Sequence, residues 1–163
     1  MRIPRLGVLA LVVLGAVAAG PVAVAQGADA RRVQTITFVV RDASSTFNFV
    51  DNRPLQGDPE EQPPSAGDFF VGSQQLFLRN GKRAGTLGFF CMVVSGGKNG
   101  RVECSGSYGL KGGTIFAQAA FVGEQPPRLA ITGGTGAYEG VRGSVRSRET
   151  KSGTIDTVRL IRG

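Results

Sequence analysis

Histidine and tryptophan are absent from the 163 residues, and cysteine and methionine occur only twice each. Without histidine there is no imidazole acid–base relay, no Ser-His-Asp triad and no hydrolytic zinc held by His ligands. Two cysteines are too few for a structural Cys-based zinc site or a disulfide-dense miniprotein. Beyond the N-terminus, no segment of helix length carries an apolar stripe at helical spacing with few glycines. Charged residues make up only 19% and hydrophobic ones 41%, enough apolar content to bury a core and not the composition of a disordered chain. These absences constrain fold and compartment more than they constrain reaction chemistry.

What is present begins with an N-terminal Met1-Arg2-Ile3-Pro4-Arg5 followed by an apolar run from Leu6 to Ala25. A short basic region, a hydrophobic region broken by Gly15, Gly20 and Pro21, and small residues at Ala23-Val24-Ala25 make a secretory signal cut before Gln26. Ala28-Asp29-Ala30 is a second acceptable site. The competing reading is a retained membrane anchor, since about 20 apolar residues can span a bilayer. Gly, Pro and the A-x-A motif favour cleavage, which leaves residues 26–163 as one exported domain with no membrane attachment. Cleavage removes Arg2 and Arg5 from a formal net charge of +7.

The rest of the chain has a period of two. Runs at Val33–Arg41, Thr46–Asp51, Asp68–Leu78, Ala84–Val94, Arg101–Tyr108, Thr114–Val122, Arg128–Thr132, Val141–Arg148 and Thr154–Ile161 read as strands. Turn chemistry separates them, as at Asn80-Gly81-Lys82 and Lys151-Ser152-Gly153. Residues 52–67, rich in proline and acids, read as a loop that cannot join a sheet. A succession of short-looped strands predicts an all-β, eight-stranded antiparallel up-and-down β-barrel, because closure removes exposed edges. A two-sheet sandwich would fit the same pattern.

Cys91 and Cys104 lie symmetrically about the Gly97-Lys98 turn, so a regular hairpin would set them face to face for a disulfide. The alternative is a pair of small buried hydrophobes. Gly133-Gly134-Thr135-Gly136 suggests a phosphate loop, but the chain continues as a strand where a nucleotide fingerprint needs a helix, so a tight turn at positive φ fits better. Arg142, Arg146 and Arg148 alternate with Val141, Gly143 and Val145. They read as a solvated outer face, since no aromatics interleave for stacking on nucleic acid, and no nucleic-acid partner is expected. Asp58, Glu60 and Glu61 lack the spacing of an EF-hand. Asp42 ends an apolar strand in parity with Ile36, Phe38 and Val40. There it could act as an acid or base at a barrel mouth, or simply bond a turn amide.

Leu129-Ala130-Ile131-Thr132-Gly133-Gly134-Thr135-Gly136-Ala137-Tyr138-Glu139-Gly140 resembles the signature loop of the allene oxide cyclase and dirigent barrels. Gly67-Asp68-Phe69-Phe70, Gly88-Phe89-Phe90-Cys91 and Gly112-Gly113-Thr114-Ile115 resemble further strand starts of the cyclases, so the likeness spans about residues 33–161. It implies an eight-stranded barrel, often a homotrimer, around an apolar pocket that folds an unsaturated epoxide or holds phenoxy radicals. No metal or organic cofactor is implied, because positioning supplies the selectivity. In this resemblance Cys91 matches the pocket cysteine, Gln74 stands for a water-holding asparagine, Phe70 for an apolar valine, Gly72 for a wall phenylalanine and Phe121 for a tyrosine. Val40 falls on the catalytic glutamate, and a shift of two residues puts Asp42 there. The expected ligand-binding set is therefore Phe38, Val40, Phe70, Gly72, Gln74, Cys91 and Phe121, with Ala117 and Ala119 also inward and Asp42 as the catalytic carboxylate. The expected function is a secreted barrel that binds a small hydrophobic ligand and steers its cyclisation or stereoselective coupling, as an isomerase. The alternative is a non-catalytic carrier or envelope protein, its 10 Phe and 2 Tyr simply filling the interior.

Overall fold

The computed structural model describes residues 32–52, 55, 62–97, 99–123 and 128–162. The expected signal segment and the loop acids Asp58, Glu60 and Glu61 lie outside these residues. The chain forms eight strands: β1 (Arg32–Val50), β2 (Phe69–Phe77), β3 (Arg83–Ser95), β4 (Arg101–Leu110), β5 (Gly113–Val122), β6 (Arg128–Gly134), β7 (Arg142–Thr150) and β8 (Gly153–Arg162). Each pairs antiparallel with the next, and β8 returns to β1 to close the barrel. Closure removes the free edges along the paired length of the barrel, while β1 beyond Arg41 pairs with β2 alone. Among the described residues a single 3-10 turn, Gly136–Tyr138, interrupts the β pattern. Gly136 adopts φ +58° there, and a Cβ on it would run into the Gly112 carbonyl oxygen, so the signature loop demands glycine at this position.

Two of the expected strands are one. Val33–Arg41 and Thr46–Asp51 merge into β1, because residues 41–44 leave the ladder with β2 as a bulge without ending the strand, Arg41 still pairing with Gly153 of β8. Val40 pairs with Leu76 and Ser45 with Gln74, while the Ser44 and Ser45 hydroxyls both donate to the Arg41 carbonyl at 3.0 Å. These local hydrogen bonds satisfy backbone that the ladder abandons. The bulge also swaps the inward face. Phe38 and Val40 are buried before it, whereas Phe47 and Phe49 align with Gly72 and Phe70 after it.

The barrel is packed at one end and hollow at the other. The packed end carries the starts of β1, β3, β5 and β7. It holds Phe38, Leu76, Ile115, Val145, Val158 and Leu160, each at most 1% exposed. Each such side chain contributes about 1.5–3 kcal/mol through burial, so this half anchors the fold. The long β1–β2 connection sits at the hollow end and is stapled by Asp68. The buried Asp68 carboxylate accepts the Asn52 N–H at 2.8 Å, the Ser65 N–H at 2.7 Å and the Ser65 hydroxyl at 3.0 Å. Burial pushes this carboxyl up, but the three hydrogen bonds together hold it below the usual range.

Cys91 and Cys104 are direct cross-strand partners on β3 and β4 and form a disulfide with a Cα–Cα separation of 4.0 Å.

Candidate functional site

The hollow end contains an open cavity of about 830 Å³. Its walls follow from strand alternation: Leu87, Phe89 and Cys91 of β3, Cys104 and Gly106 of β4, Ala119 and Phe121 of β5, and Leu129 of β6 all point into the lumen. Gln74 adds an amide from β2, and the disulfide is itself part of the wall. Phe47, 60% exposed, stands at the mouth with Arg148, Glu149 and Thr154.

The inner end of this cavity is polar. Asp156 of β8 and Tyr108 of β4 are 3% and 1% exposed. The Tyr108 hydroxyl donates to Asp156 Oδ2 at 3.0 Å, and the Ser147 hydroxyl donates to Oδ1 at 2.6 Å. β4 and β8 stand four strands apart in a ring of eight, on opposite walls. The Tyr108–Asp156 hydrogen bond is thus a crossbar over the lumen, separating the packed half from the hollow one. Phe38, the cross-strand partner of Asp156, stacks beneath Tyr108 with ring centroids 6.0 Å apart.

Burial pushes the Asp156 carboxyl above the ordinary carboxylate range, an effect only partly offset by the hydroxyls of Ser147 and Tyr108. Burial, with the neighbouring Asp156 charge and hydrogen bond, drives the Tyr108 phenol up as well, so it remains a donor. A carboxyl held above its ordinary range at the inner end of a largely apolar cavity is suited to proton transfer. Among the described residues no group of three or more His, Cys, Asp or Glu is arranged to hold a metal ion.

Of the expected binding residues, Gln74, Cys91 and Phe121 line the cavity. Ala119 lines it with them, and Ala117 is buried in the packed core. Phe38 and Val40 lie in the same packed core. Phe70 stacks with Phe47 and Phe49, at centroid distances of 5.5 and 5.0 Å. Gly72 leaves the space occupied by the Phe89 ring, since a Cβ there would meet Phe89 and the Thr46 carbonyl. Asp42 sits in the β1 bulge, exposed, with its N–H donating to the Ser152 carbonyl at 3.2 Å, and is not among the cavity-lining residues. Sequence reasoning missed Asp156, Tyr108 and Ser147. The available signal was an aspartate in register with Val158 and Leu160 on an inward-facing row. Ile155 and Ile161, on the outward row of the same strand, obscured that alternation.

The chain matches no known family model and no curated protein. Its structure does match solved ones. It is similar to a pyocyanin demethylase, with a TM-score of 0.64 and 23% identity, covering 78% of this chain and 99% of that one. It is similar to an exo-specific intermolecular Diels-Alderase, with a TM-score of 0.58 and 13% identity over 81% of this chain and 98% of that one. A Diels-Alderase from Streptomyces koyangensis is similar with a TM-score of 0.54 and 13% identity, over 80% of this chain and 63% of that one. The likeness is one of fold. It places the chain among barrels that include proteins named for cycloaddition and for demethylation.

Proposed function

We propose that this protein binds a small, largely apolar molecule in the hollow half of its barrel and steers that molecule's cyclisation or rearrangement. The observation that carries the proposal is the Tyr108–Asp156 crossbar at the base of an open cavity of about 830 Å³. The walls would hold one conformer of a flexible ligand, which converts lost ligand entropy into rate. In its protonated form Asp156 can donate its proton to an epoxide or carbonyl oxygen. The carboxylate left behind keeps hydrogen bonds from Tyr108 and Ser147 and can then take a proton back from carbon, returning the site to its starting state. Gln74 would orient a polar group of the ligand, and Asp42 would act at the rim. The resemblance to allene oxide cyclase and dirigent barrels and the cycloaddition enzymes of the same fold support this reading.

The expected leader, together with the disulfide, supports an extracellular setting. Among the described residues no helix is long and apolar enough to cross a membrane. Self-association into the trimer that the resemblance implies would use the outer face of β3 and β5, where Phe90, Met92, Val94, Phe116 and Val122 are exposed.

The direct test incubates the protein with polyene epoxides and with phenolic radicals and resolves the products by chirality. Stereochemically enriched product that is lost in Asp156→Asn supports the proposal. Racemic product equal to the protein-free control overturns the catalytic reading. In that case an apolar molecule retained in native mass spectra identifies a carrier, a role favoured by both Asp156 oxygens already being engaged.

A further inference from the structure

Apart from Arg148, which also borders the cavity mouth, the arginines of the outer surface take no part in the cavity. On β7, Arg142, Arg146 and Arg148 point outward, and Arg146 is the direct cross-strand partner of Arg128 on β6. Arg159 of β8 lies opposite Ser144, between Arg142 and Arg146. All of these arginines are exposed. The remaining outward side chains of these strands are Ala130, Thr132, Ser144, Thr150, Ile155, Thr157 and Ile161, so the row itself carries no carboxylate, and the exposed Glu149 borders it only at the cavity mouth. Like charges placed directly opposite one another across a ladder are destabilising, so Arg128 facing Arg146 is a local cost that an anion would relieve.

We propose that the outer face of β6–β8 binds a linear phosphodiester polymer laid along β7, held through its phosphates alone. From Arg142 to Arg148 the row runs roughly 20 Å at the rise of a strand. Guanidinium groups favour phosphate because their planar forks donate two parallel hydrogen bonds. None of the exposed large hydrophobic residues lies on β6, β7 or β8, so the face offers no ring for stacking on bases and no apolar wedge for a bilayer. Recognition is therefore of the backbone, without regard to base sequence.

The test uses fluorescence anisotropy with a labelled single-stranded oligonucleotide and an abasic phosphodiester oligomer of the same length. Both bind with similar affinity, and the logarithm of the affinity falls with the logarithm of salt at a slope near −3.5, as about five phosphate contacts require. The double variant R128S/R146S flattens that slope by about 1.4, the contribution of two contacts. R128K/R146K keeps the slope, which separates lost charge from misfolding. K82S/R83S removes the same charge from the β2–β3 turn, across the barrel from β7, and leaves the slope unchanged. Equal flattening by R128S/R146S and K82S/R83S would show that only net charge matters and would overturn the proposal. Absence of binding to either oligomer, binding to the oligonucleotide alone, or binding only to anionic vesicles would do the same.

Discussion

Replacing Tyr108 by Phe deletes one hydroxyl and leaves the ring that stacks on Phe38 in place. The lost group donates to Asp156 Oδ2 at 3.0 Å inside the barrel, leaving Ser147 as the carboxylate's remaining side-chain donor among the described residues. The size of the loss depends on the charge of Asp156. A hydrogen bond to an ionised group contributes about 1.5–3 kcal/mol, and one between neutral groups about 0.5–1.5 kcal/mol. With roughly 3 °C in Tm per kcal/mol for a domain of this size, Y108F costs about 5–9 °C where Asp156 is ionised and about 2–5 °C where it is neutral. The direction with pH follows from the raised pKa. The folded protein holds the Asp156 proton to higher pH than the unfolded chain does, so this group's contribution to stability is complete below the unfolded value. It declines as pH rises through the folded value. Removing the Tyr108 donor raises the folded value further and prolongs the decline. Thermal unfolding followed by circular dichroism across acidic to alkaline buffers should therefore show the two proteins diverging as pH rises. A constant gap, or one that widens toward acid, would refute the crossbar's electrostatic role.

Asp68→Asn should have the opposite pH signature, because the native carboxylate is stabilised by three hydrogen bonds; its cost is largest at neutral pH and disappears as acid protonates Asp68 in the parent, measured by the same unfolding series. The double variant C91A/C104A should lose about 3 kcal/mol, the loop-closure contribution of a bridge spanning 13 residues, and reducing agent should lower the Tm of the parent but not of the variant. Ala119→Trp should narrow the cavity and weaken uptake of an apolar fluorescent dye while leaving the packed end intact.

The antiparallel succession of strands was readable in the sequence because strand alternation is a local property and each turn announces itself with Gly, Asn or Ser. What separates a barrel from a sandwich is the pairing of β8 with β1, which is not local. The facing of Cys91 and Cys104, by contrast, was local, a matter of symmetry about one hairpin. The β1 bulge was not readable. Residues 41–44 carry no apolar pattern, and it is the pairing with β2 that shows the strand passing through them with its faces exchanged. Asp42 drew attention by its parity with Phe38 and Val40, yet that parity holds only if the strand continues without a bulge. The buried carboxylate escaped for the opposite reason. Tyr108 and Asp156 are separated by 48 residues, and nothing local to either shows that closure of the cylinder will place them across from one another.

The division of the cylinder into a solid half and an empty one separates two demands that usually compete. The apolar core lies below the Tyr108–Asp156 bar, and the side chains that would meet a guest lie above it, where the disulfide and Asp68 brace the rim. Substitutions among Phe47, Ala119, Phe121 and Leu129 can thus reshape the chamber while the foundation stays whole. A scaffold arranged this way can change its guest many times over without having to learn to fold again.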